Sequence, residues 1–220
     1  MHASVFFTFL TFLAFCVAQG YGATTTTVLT TSTVSVAPDT FATPPPSYIL
    51  KTRLRNATNA NYPVTDYSKA KFSNLYLWAY HTGAGLNDAV VSSNKSLAIT
   101  GFLNVTNTTA GKTEGYQEFV LAPNQPDYGF AFTIGTYSGW GEVQINGGAQ
   151  TPGFYFTTEH GLQWGGADGS EGASFGGWLV CDWWHGKGQS QLFWRNKYFP
   201  IADYPTLCNC ADVDLIPEAA

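Results

Sequence analysis

Residues Gly176 to Gly186 have the sequence G-G-W-L-V-C-D-W-W-H-G, and this stretch decides the fold class. It is rich in aromatic and branched apolar residues and is bounded by glycines, which is typical of a β-strand. The run Gln191–Arg195 has the same character, and the intervening Gly186 and Gly188 can take the positive φ angles of a tight turn. The two runs therefore predict an antiparallel hairpin.

Short strand-like runs separated by turn residues fill the rest of the chain from residue 47. In Leu75–Tyr80, aliphatic residues at odd positions alternate with aromatic residues at even positions. The other predicted strands are Tyr48–Arg55, Leu97–Leu103, Gln117–Leu121, Phe130–Ile134, Glu142–Ile145, Phe154–Thr157, Trp178–Trp183 and Ala211–Ile216. No amphipathic helix longer than a turn or two is evident. The pattern predicts an all-β protein with a single antiparallel β-sandwich or barrel domain.

The N-terminal residues indicate a secreted chain. Residues 3–18 are uncharged and apolar, as in a signal peptide, and are too few to span a bilayer comfortably. We expect a signal peptide at 1–18, a disordered, O-glycosylated Thr/Ser/Pro-rich arm at 19–46 and the folded domain at 47–220. The expected location is extracellular or in the cell wall, with no membrane contact after signal removal.

Four N-x-[ST] sequons agree with this location: Asn56, Asn94, Asn104 and Asn107. Three of them lie within fourteen positions. We therefore expect glycan to cover one side of the domain, which makes that side a poor candidate for ligand binding.

The charge content excludes a nucleic-acid binder. Charged residues make up 11% of the chain and the net charge is −5, so no basic patch dense enough for phosphate contacts is present. Five basic residues between 51 and 71 are interpreted as a solvated strand face, with a contact to an acidic polysaccharide or a cell surface as the less favoured alternative.

Cysteine content predicts one disulfide. Cys16 leaves with the signal peptide, and three cysteines remain in an oxidising compartment. Cys181 is expected to pair with Cys208 or Cys210. The remaining cysteine is either buried or paired with another molecule, which would give a disulfide-linked dimer.

The aromatic hairpin provides the candidate ligand site. If side chains alternate along the strand, Trp178, Asp182 and Trp184 share one face, and Leu179 and Cys181 face the core. Aromatic rings beside a carboxylate can hold a sugar ring. The alternative is that both faces of this strand are buried. The predicted platform consists of Trp178, Asp182, Trp184 and Trp194, with Tyr80 and His81 at its rim.

Catalytic patterns are weak. Asp182, His185 and Ser190 can be written as a triad, but they lie within one hairpin and lack an evident oxyanion hole. The run Tyr80–Ala89 is explained by a glycine-rich turn leaving a strand, in preference to a small site. No carboxylate pair stands out by spacing, and the histidines are isolated. We predict no catalytic residue, no metal ligand and no cofactor.

Several motifs together resemble a family of secreted ascomycete fungal proteins whose domain has no established function. They are Y-H-T-G-A-G-L-N-D-A at 80–89, G-G-W-L-V-C-D-W-W-H-G at 176–186, Q-L-F-W at 191–194 and C-A-D-V-D-L at 210–215. The resemblance extends from about Tyr48 to the C-terminus and implies the fungal cell surface or medium as the setting. It also implies that Cys210 pairs with Cys181, which leaves the partner of Cys208 open.

These observations lead to one main functional hypothesis and two alternatives. The main hypothesis is a non-catalytic secreted or wall-associated fungal protein that binds cell-wall polysaccharide through the aromatic platform. One alternative is an extracellular hydrolase acting on glycan or ester substrates. The other is a secreted effector or a self-assembling surface protein.

Overall fold

A computed structural model describes residues 40–55, 67–123, 127–132, 139–148, 150–166, 175–183, 188–196, 206 and 209–220. Within these ranges the protein is nearly all β, as predicted. Two short 3-10 helices occur, at Tyr67–Phe72 and Lys95–Leu97. Among the described residues, no helix has the length and apolar character needed to cross a membrane.

In the part of the chain that the structure describes, thirteen strands form one sheet. Their bounds are β1 Phe41–Ala42, β2 Tyr48–Leu54, β3 Tyr76–Gly83, β4 Leu86–Ser92, β5 Thr100–Thr109, β6 Lys112–Val120, β7 Tyr128–Phe132, β8 Trp140–Gly147, β9 Phe154–Thr157, β10 Gly161–Trp164, β11 Phe175–Asp182, β12 Ser190–Asn196 and β13 Cys210–Ala219. The spatial order is β1-β9-β10-β13-β11-β12-β4-β3-β2-β5-β6-β7-β8. The predicted hairpin is present as β11 and β12, which pair antiparallel. Phe175 lies opposite Asn196 at one end of the pair, and Asp182 lies opposite Ser190 at the other.

Additional pairings fold this sheet back on itself. Strand β13 pairs with β2 along seven residues, from Val213–Leu54 to Ala219–Tyr48. Strand β8, at the end of the order, pairs with both β12 and β4. These pairings close the sheet into rings of strands. Each strand of such a ring has a neighbour on both sides, so few of its backbone groups lie at an exposed edge.

The inner face of the sheet encloses a large aromatic core, which we call the main core. Trp178 and Trp194 lie directly opposite each other on β11 and β12 and are both 0% exposed. The ring of Phe132 lies 5.8 Å from that of Trp178 and 6.1 Å from that of Trp194. The indole Nε1 of Trp178 donates to the Leu162 carbonyl at 2.6 Å. Mutual edge and stacked contacts of this kind add to the stability gained by burial alone.

A second, smaller apolar cluster lies on the outer face of β11, β12 and β13. It contains Leu179, Cys181, Phe193 and Cys210, all at most 2% exposed. Cys181 and Cys210 are opposite each other in the register and form a disulfide. The expected Cys181–Cys210 bridge is confirmed. Cys208 lies outside the described residues, so its partner stays a prediction.

The outer face of β13 also carries a charge ladder, formed by Asp212, Asp214 and Glu218 with the basic residues that face them. The buried Asp214 carboxylate accepts from Nη2 of Arg53 at 2.9 Å and from Nε of Arg55 at 3.0 Å. Because β2 runs beside β13, the basic residues at 51, 53 and 55 meet this acidic strand. The C-A-D-V-D-L motif therefore supplies one disulfide cysteine and two structural carboxylates.

Arg195 completes the ladder at Asp212. Its Nε lies 3.1 Å from Oδ1 of Asp212, and its side chain is almost fully buried. Burial lowers the pKa of Arg195 and the carboxylate of Asp212 opposes that change, while the nearby Arg55 lowers the pKa further. The guanidinium is held in place by an ion pair with low solvent screening.

Candidate functional site

Three aromatic side chains stand in consecutive outward positions on β3. Leu77 is buried in the main core and Ala79 packs against it, so the alternating Tyr76, Trp78 and Tyr80 face the other way. Each of the three is half-buried. We call this set the outer aromatic row. At a rise of about 3.3 Å per residue it extends over roughly 13 Å, which is longer than a single sugar ring.

The Tyr76 end of the row is bordered by charge. Nζ of Lys51 lies 5.6 Å from the Tyr76 ring centre, and Nζ of Lys95 lies 5.7 Å from it. Both ammonium groups also form ion pairs with Glu218. The hydrogen bond to Glu218 raises the pKa of Lys95, and the same bond lowers the pKa of Glu218. Because all three groups are solvent-accessible, these pairs add little stability.

Trp78 occupies the centre of the row and lies directly opposite Val90 on β4. Ala89 and Val91 belong to the main core, so Val90 points outward, yet it is only 1% exposed. A cross-strand pair of this type places Cβ atoms about 5 Å apart. The indole therefore has apolar support. Its Nε1 is buried and has no hydrogen-bond partner among the described residues.

The Tyr80 end of the row is polar. The Tyr80 ring lies 5.7 Å from the Trp78 ring at an interplanar angle of 78°. Tyr80 faces Asp88 on β4, and Asp88 in turn faces Gln144 on β8. Beyond this pair the chain turns from β3 into β4, with Gly85 at a φ of 73°. The predicted glycine-rich turn is present, and Asp88 lies within β4 with an exposed fraction of only 5%.

This arrangement is chemically suited to binding a carbohydrate. The flat faces and edges of the three rings present apolar area, while the two lysines and Glu218 supply polar groups at the Tyr76 end. Sugar rings need that combination, because one side of the ring is apolar and the hydroxyls around it form hydrogen bonds.

The platform predicted on the β11–β12 hairpin is wrong for two of its members. Trp178 and Trp194 are both fully buried in the main core and cannot contact a ligand in solvent. The predicted alternation is correct, but its direction is reversed. Leu179 and Cys181 face outward into the small second cluster, and Trp178 faces inward. The alternative that both faces are buried describes this strand.

The remaining predicted members are scattered. Asp182 is exposed at the end of β11, where it pairs with Lys71 and accepts from Ser190 Oγ at 3.2 Å. His81 is exposed and alternates onto the opposite face from Tyr80. Asp182 lies opposite Ser190, and Ser190 lies opposite Val91 on β4. Tyr80 lies opposite Asp88, three residues earlier in β4. Asp182 and Tyr80 are therefore not brought together. Trp184 lies outside the described residues.

Tyr76 and Trp78 belong to the outer aromatic row but not to the platform predicted from the sequence. The alternation of aliphatic and aromatic residues in Leu75–Tyr80 was visible in the sequence. The aromatic face of this strand points outward only if other strands pack against its aliphatic face. That relationship depends on the neighbouring strands, which the pattern does not specify.

Two members of the triad written from the sequence lie among the described residues. Asp182 and Ser190 contact each other, but the charge of Asp182 is taken up by Lys71. His185 lies outside the described residues, so the structure describes only two members of the triad written from the sequence. No group of three or more His, Cys, Asp or Glu side chains that could hold a metal ion occurs in the described ranges.

The sequons occupy different elements. Asn104 and Asn107 lie in the exposed half of β5, and Asn94 is exposed in the turn before the 3-10 helix Lys95–Leu97. Asn56 lies outside the described residues. That 3-10 helix packs against β3, so one sequon is close to the outer aromatic row and the other two are on a separate hairpin.

Comparison with known proteins identifies a family but no characterised relative. A family model described as a domain of unknown function (DUF7907) matches residues 45–219. No curated protein and no solved structure matches the chain.

Proposed function

We propose that this chain, which belongs to the DUF7907 family of domains of unknown function, is a non-catalytic carbohydrate-binding protein that acts outside the cell. The outer aromatic row is its binding surface and cell-wall polysaccharide is its ligand. One observation supports this most directly: Tyr76, Trp78 and Tyr80 occupy consecutive outward positions on one strand, away from a main core that buries nine other aromatic side chains of the described residues.

The exposed part of the row favours a ligand with apolar faces. Covering apolar surface contributes about 25 cal/mol per Å² removed from water. Each sugar ring covers only part of one aromatic side chain, so individual contacts are weak. A polymer that spans the row makes several contacts at once, and the linked contacts add to one another. The row therefore suits a polysaccharide better than a free monosaccharide.

The electrostatics favour a neutral polysaccharide over an acidic one. The basic run that could attract a polyanion is neutralised by neighbouring acids. Lys51 pairs with Glu218, Lys71 pairs with Asp182, and Arg53 and Arg55 both pair with Asp214. Most of these positive charges have an internal partner, so a polyanion gains little from them.

The extracellular location rests on three features. The apolar run at 3–18 has the composition of a signal peptide. The sequons at 94, 104 and 107 are all in exposed positions. The Cys181–Cys210 disulfide is of the kind that persists in oxidising compartments. With the resemblance to secreted ascomycete proteins, these features favour a fungal cell wall as the setting.

Retention on insoluble polysaccharides tests the proposal. The secreted chain, a Trp78→Ala variant and a Trp140→Ala variant are incubated with chitin, β-glucan, mannan and cellulose. Trp140 is the matched control because it is an outward tryptophan, 41% exposed, on a different strand. We expect saturable retention on at least one polymer, lost in Trp78→Ala and kept in Trp140→Ala.

Other outcomes would favour the alternatives. Equal retention of both tryptophan variants would show that the outer aromatic row is not the binding surface. Release of soluble sugars during incubation would indicate a hydrolase, and substitution of Asp182 or Asp88 by Asn would then locate its acid. No retention on any polymer, together with capture of a defined protein partner, would indicate an effector or a surface interaction protein.

A further inference from the structure

The sequon at Asn94 is anchored beside the Tyr76 end of the outer aromatic row. Ser92, the last residue of β4, lies directly opposite Tyr76. The backbone N–H of Asn94 donates to Ser92 Oγ at 3.1 Å. The next residue, Lys95, places its Nζ 5.7 Å from the Tyr76 ring centre. Asn94 therefore lies between the residue opposite Tyr76 on β4 and a lysine whose side chain reaches the Tyr76 ring.

The local backbone holds Asn94 in a defined position. The Leu97 N–H donates to the Asn94 carbonyl at 3.1 Å, and the Ile99 N–H donates to the Leu77 carbonyl of β3 at 3.2 Å. These bonds attach the segment after β4 to the strand that carries the row. A group on the Asn94 side chain would consequently start from a fixed point at the edge of β3.

The Asn94 side chain is oriented by its amide oxygen. Its Oδ1 accepts from the Ser96 N–H at 3.1 Å and from Ser96 Oγ at 2.8 Å. Both bonds use the oxygen, and a glycan attaches through the amide nitrogen of the same side chain. The exposed sequon can therefore take a glycan without losing either of these bonds.

We propose that Asn94 carries an N-linked glycan whose first sugars pack on Tyr76, so that the chain's own glycan occupies this end of the outer aromatic row. Trp78 and Tyr80 are left as the part open to an external polysaccharide. The second statement rests on the proposed function; the first does not.

Tethering explains why such a weak contact is occupied. A ligand joined by a short flexible link has an effective concentration on the order of mM. A sugar contact with a dissociation constant of about 1 mM is therefore formed much of the time when tethered, although the same free sugar would be mostly unbound. An external chain must displace the tethered glycan before it can cover Tyr76.

The sequon at Asn107 provides a matched comparison. Its Oδ1 accepts from Thr109 Oγ1 at 3.3 Å, which is the same contact that Ser96 makes with Asn94. Ser96→Ala and Thr109→Ala each remove one sequon and one such hydrogen bond. They differ in location, because Asn107 lies on the β5–β6 hairpin.

Affinity for the retained polysaccharide and glycan occupancy test the proposal in the full secreted chain. Mass spectrometry should show a glycan at Asn94 that is absent in Ser96→Ala and also in Asn94→Gln. Both variants should bind the polymer severalfold more tightly than the parent chain, and Thr109→Ala should bind like the parent. An unoccupied Asn94, or equal affinities for Ser96→Ala and Thr109→Ala, would overturn the proposal.

A direct contact measurement separates this inference from the proposed function. In protein with an isotope-labelled glycan, nuclear Overhauser contacts are expected between the first N-acetylglucosamine and the Tyr76 ring. Contacts present without any polysaccharide binding would support the glycan placement and refute the proposed function. Missing contacts in a protein with Asn94 occupied would refute the glycan placement.

Discussion

Trp78 and Val90 lie directly opposite each other on β3 and β4, on the face of the sheet that points away from the main core. Val90 is followed across the sheet by Gln191, Cys181 and Cys210, each opposite the next in the register. One transverse row thus joins the outer aromatic row to the disulfide. The indole of Trp78 therefore lies on a strand pair that is itself paired with further strands. A rigid support of this kind lowers the entropy cost of ordering the binding surface.

The two tryptophan environments predict different effects on stability. Trp178→Ala should lower the free energy of unfolding by about 3–5 kcal/mol, because it leaves a cavity in a packed core. Trp78→Ala should lower it clearly less, since a half-buried outward side chain leaves a surface depression. Urea unfolding followed by circular dichroism measures both. Equal losses in the two variants would contradict the assignment of faces.

The charge ladder predicts a large effect of one carboxylate. Asp214→Asn removes a buried partner of Arg53 and Arg55, with a side chain that is only 4% exposed. Breaking a buried pair costs about 3–5 kcal/mol, and solvent around the half-exposed Arg53 reduces this to roughly 2–3 kcal/mol. Glu218→Gln is the control on the same strand, and we expect little change in its urea midpoint.

If Asp214→Asn and Glu218→Gln shifted the urea midpoint equally, Asp214 would have no special structural role. The C-A-D-V-D-L motif would then need an explanation outside the fold, such as contact with a ligand or partner.

The disulfide predicts a measurable loss on removal. Cys181 and Cys210 are 29 residues apart in sequence, and a loop of this length contributes about 3–4 kcal/mol in the chain-entropy model. The double variant Cys181→Ala with Cys210→Ala should therefore unfold at a lower urea concentration than the oxidised parent. Reduction of the parent should give a similar shift. No shift in either sample would contradict a stabilising role for the bridge.

Tyr48 predicts a pH dependence at the alkaline end. Its hydroxyl is buried and donates to Gln117 Oε1 at 2.7 Å. Burial raises the pKa of Tyr48 far above its ordinary 10.0, and the bond to Gln117 opposes this only in part. The folded state therefore favours the neutral phenol. The corresponding stability is complete below pH 10 and is lost as the pH rises above that value.

Comparison with Tyr48→Phe isolates this effect. At neutral pH the variant should be about 1–3 kcal/mol less stable, because Gln117 loses its donor. Above pH 10 the parent should lose stability through Tyr48 and the variant should not, so the difference should shrink. A difference that stays constant from neutral to alkaline pH would show that Tyr48 titrates alike in the folded and unfolded chain.

Much of the fold could be predicted from the sequence. The all-β class, the β11–β12 hairpin and strand β9 at Phe154–Thr157 follow from local composition and turn residues. The Cys181–Cys210 pair was predicted from a family resemblance. Strand β4 was missed because Leu86–Ser92 follows a glycine-rich turn and its outward Asp88 and inward Asn87 hide the alternation.

The site could not be predicted because alternation does not give direction. In Trp178–Asp182, apolar residues occupy both faces, and which face meets the main core depends on the strands packed against it. The structure buries Trp178 and turns Cys181 outward, where Cys210 and Phe193 cover it. In Leu75–Tyr80 the same uncertainty hid Trp78. Both errors have one cause: the sheet closes through pairings between strands distant in sequence, such as β13 with β2.

The central claim is that Trp78 contacts the ligand, and a fluorescence titration with soluble oligosaccharides of the retained polymer tests it most directly. The parent and Trp140→Ala should show a saturable shift in tryptophan emission with the same midpoint, and Trp78→Phe should bind without most of that shift. Trp78→Ala should show neither binding nor shift while remaining folded. A Trp78→Ala variant that binds with the parent's affinity would contradict the account.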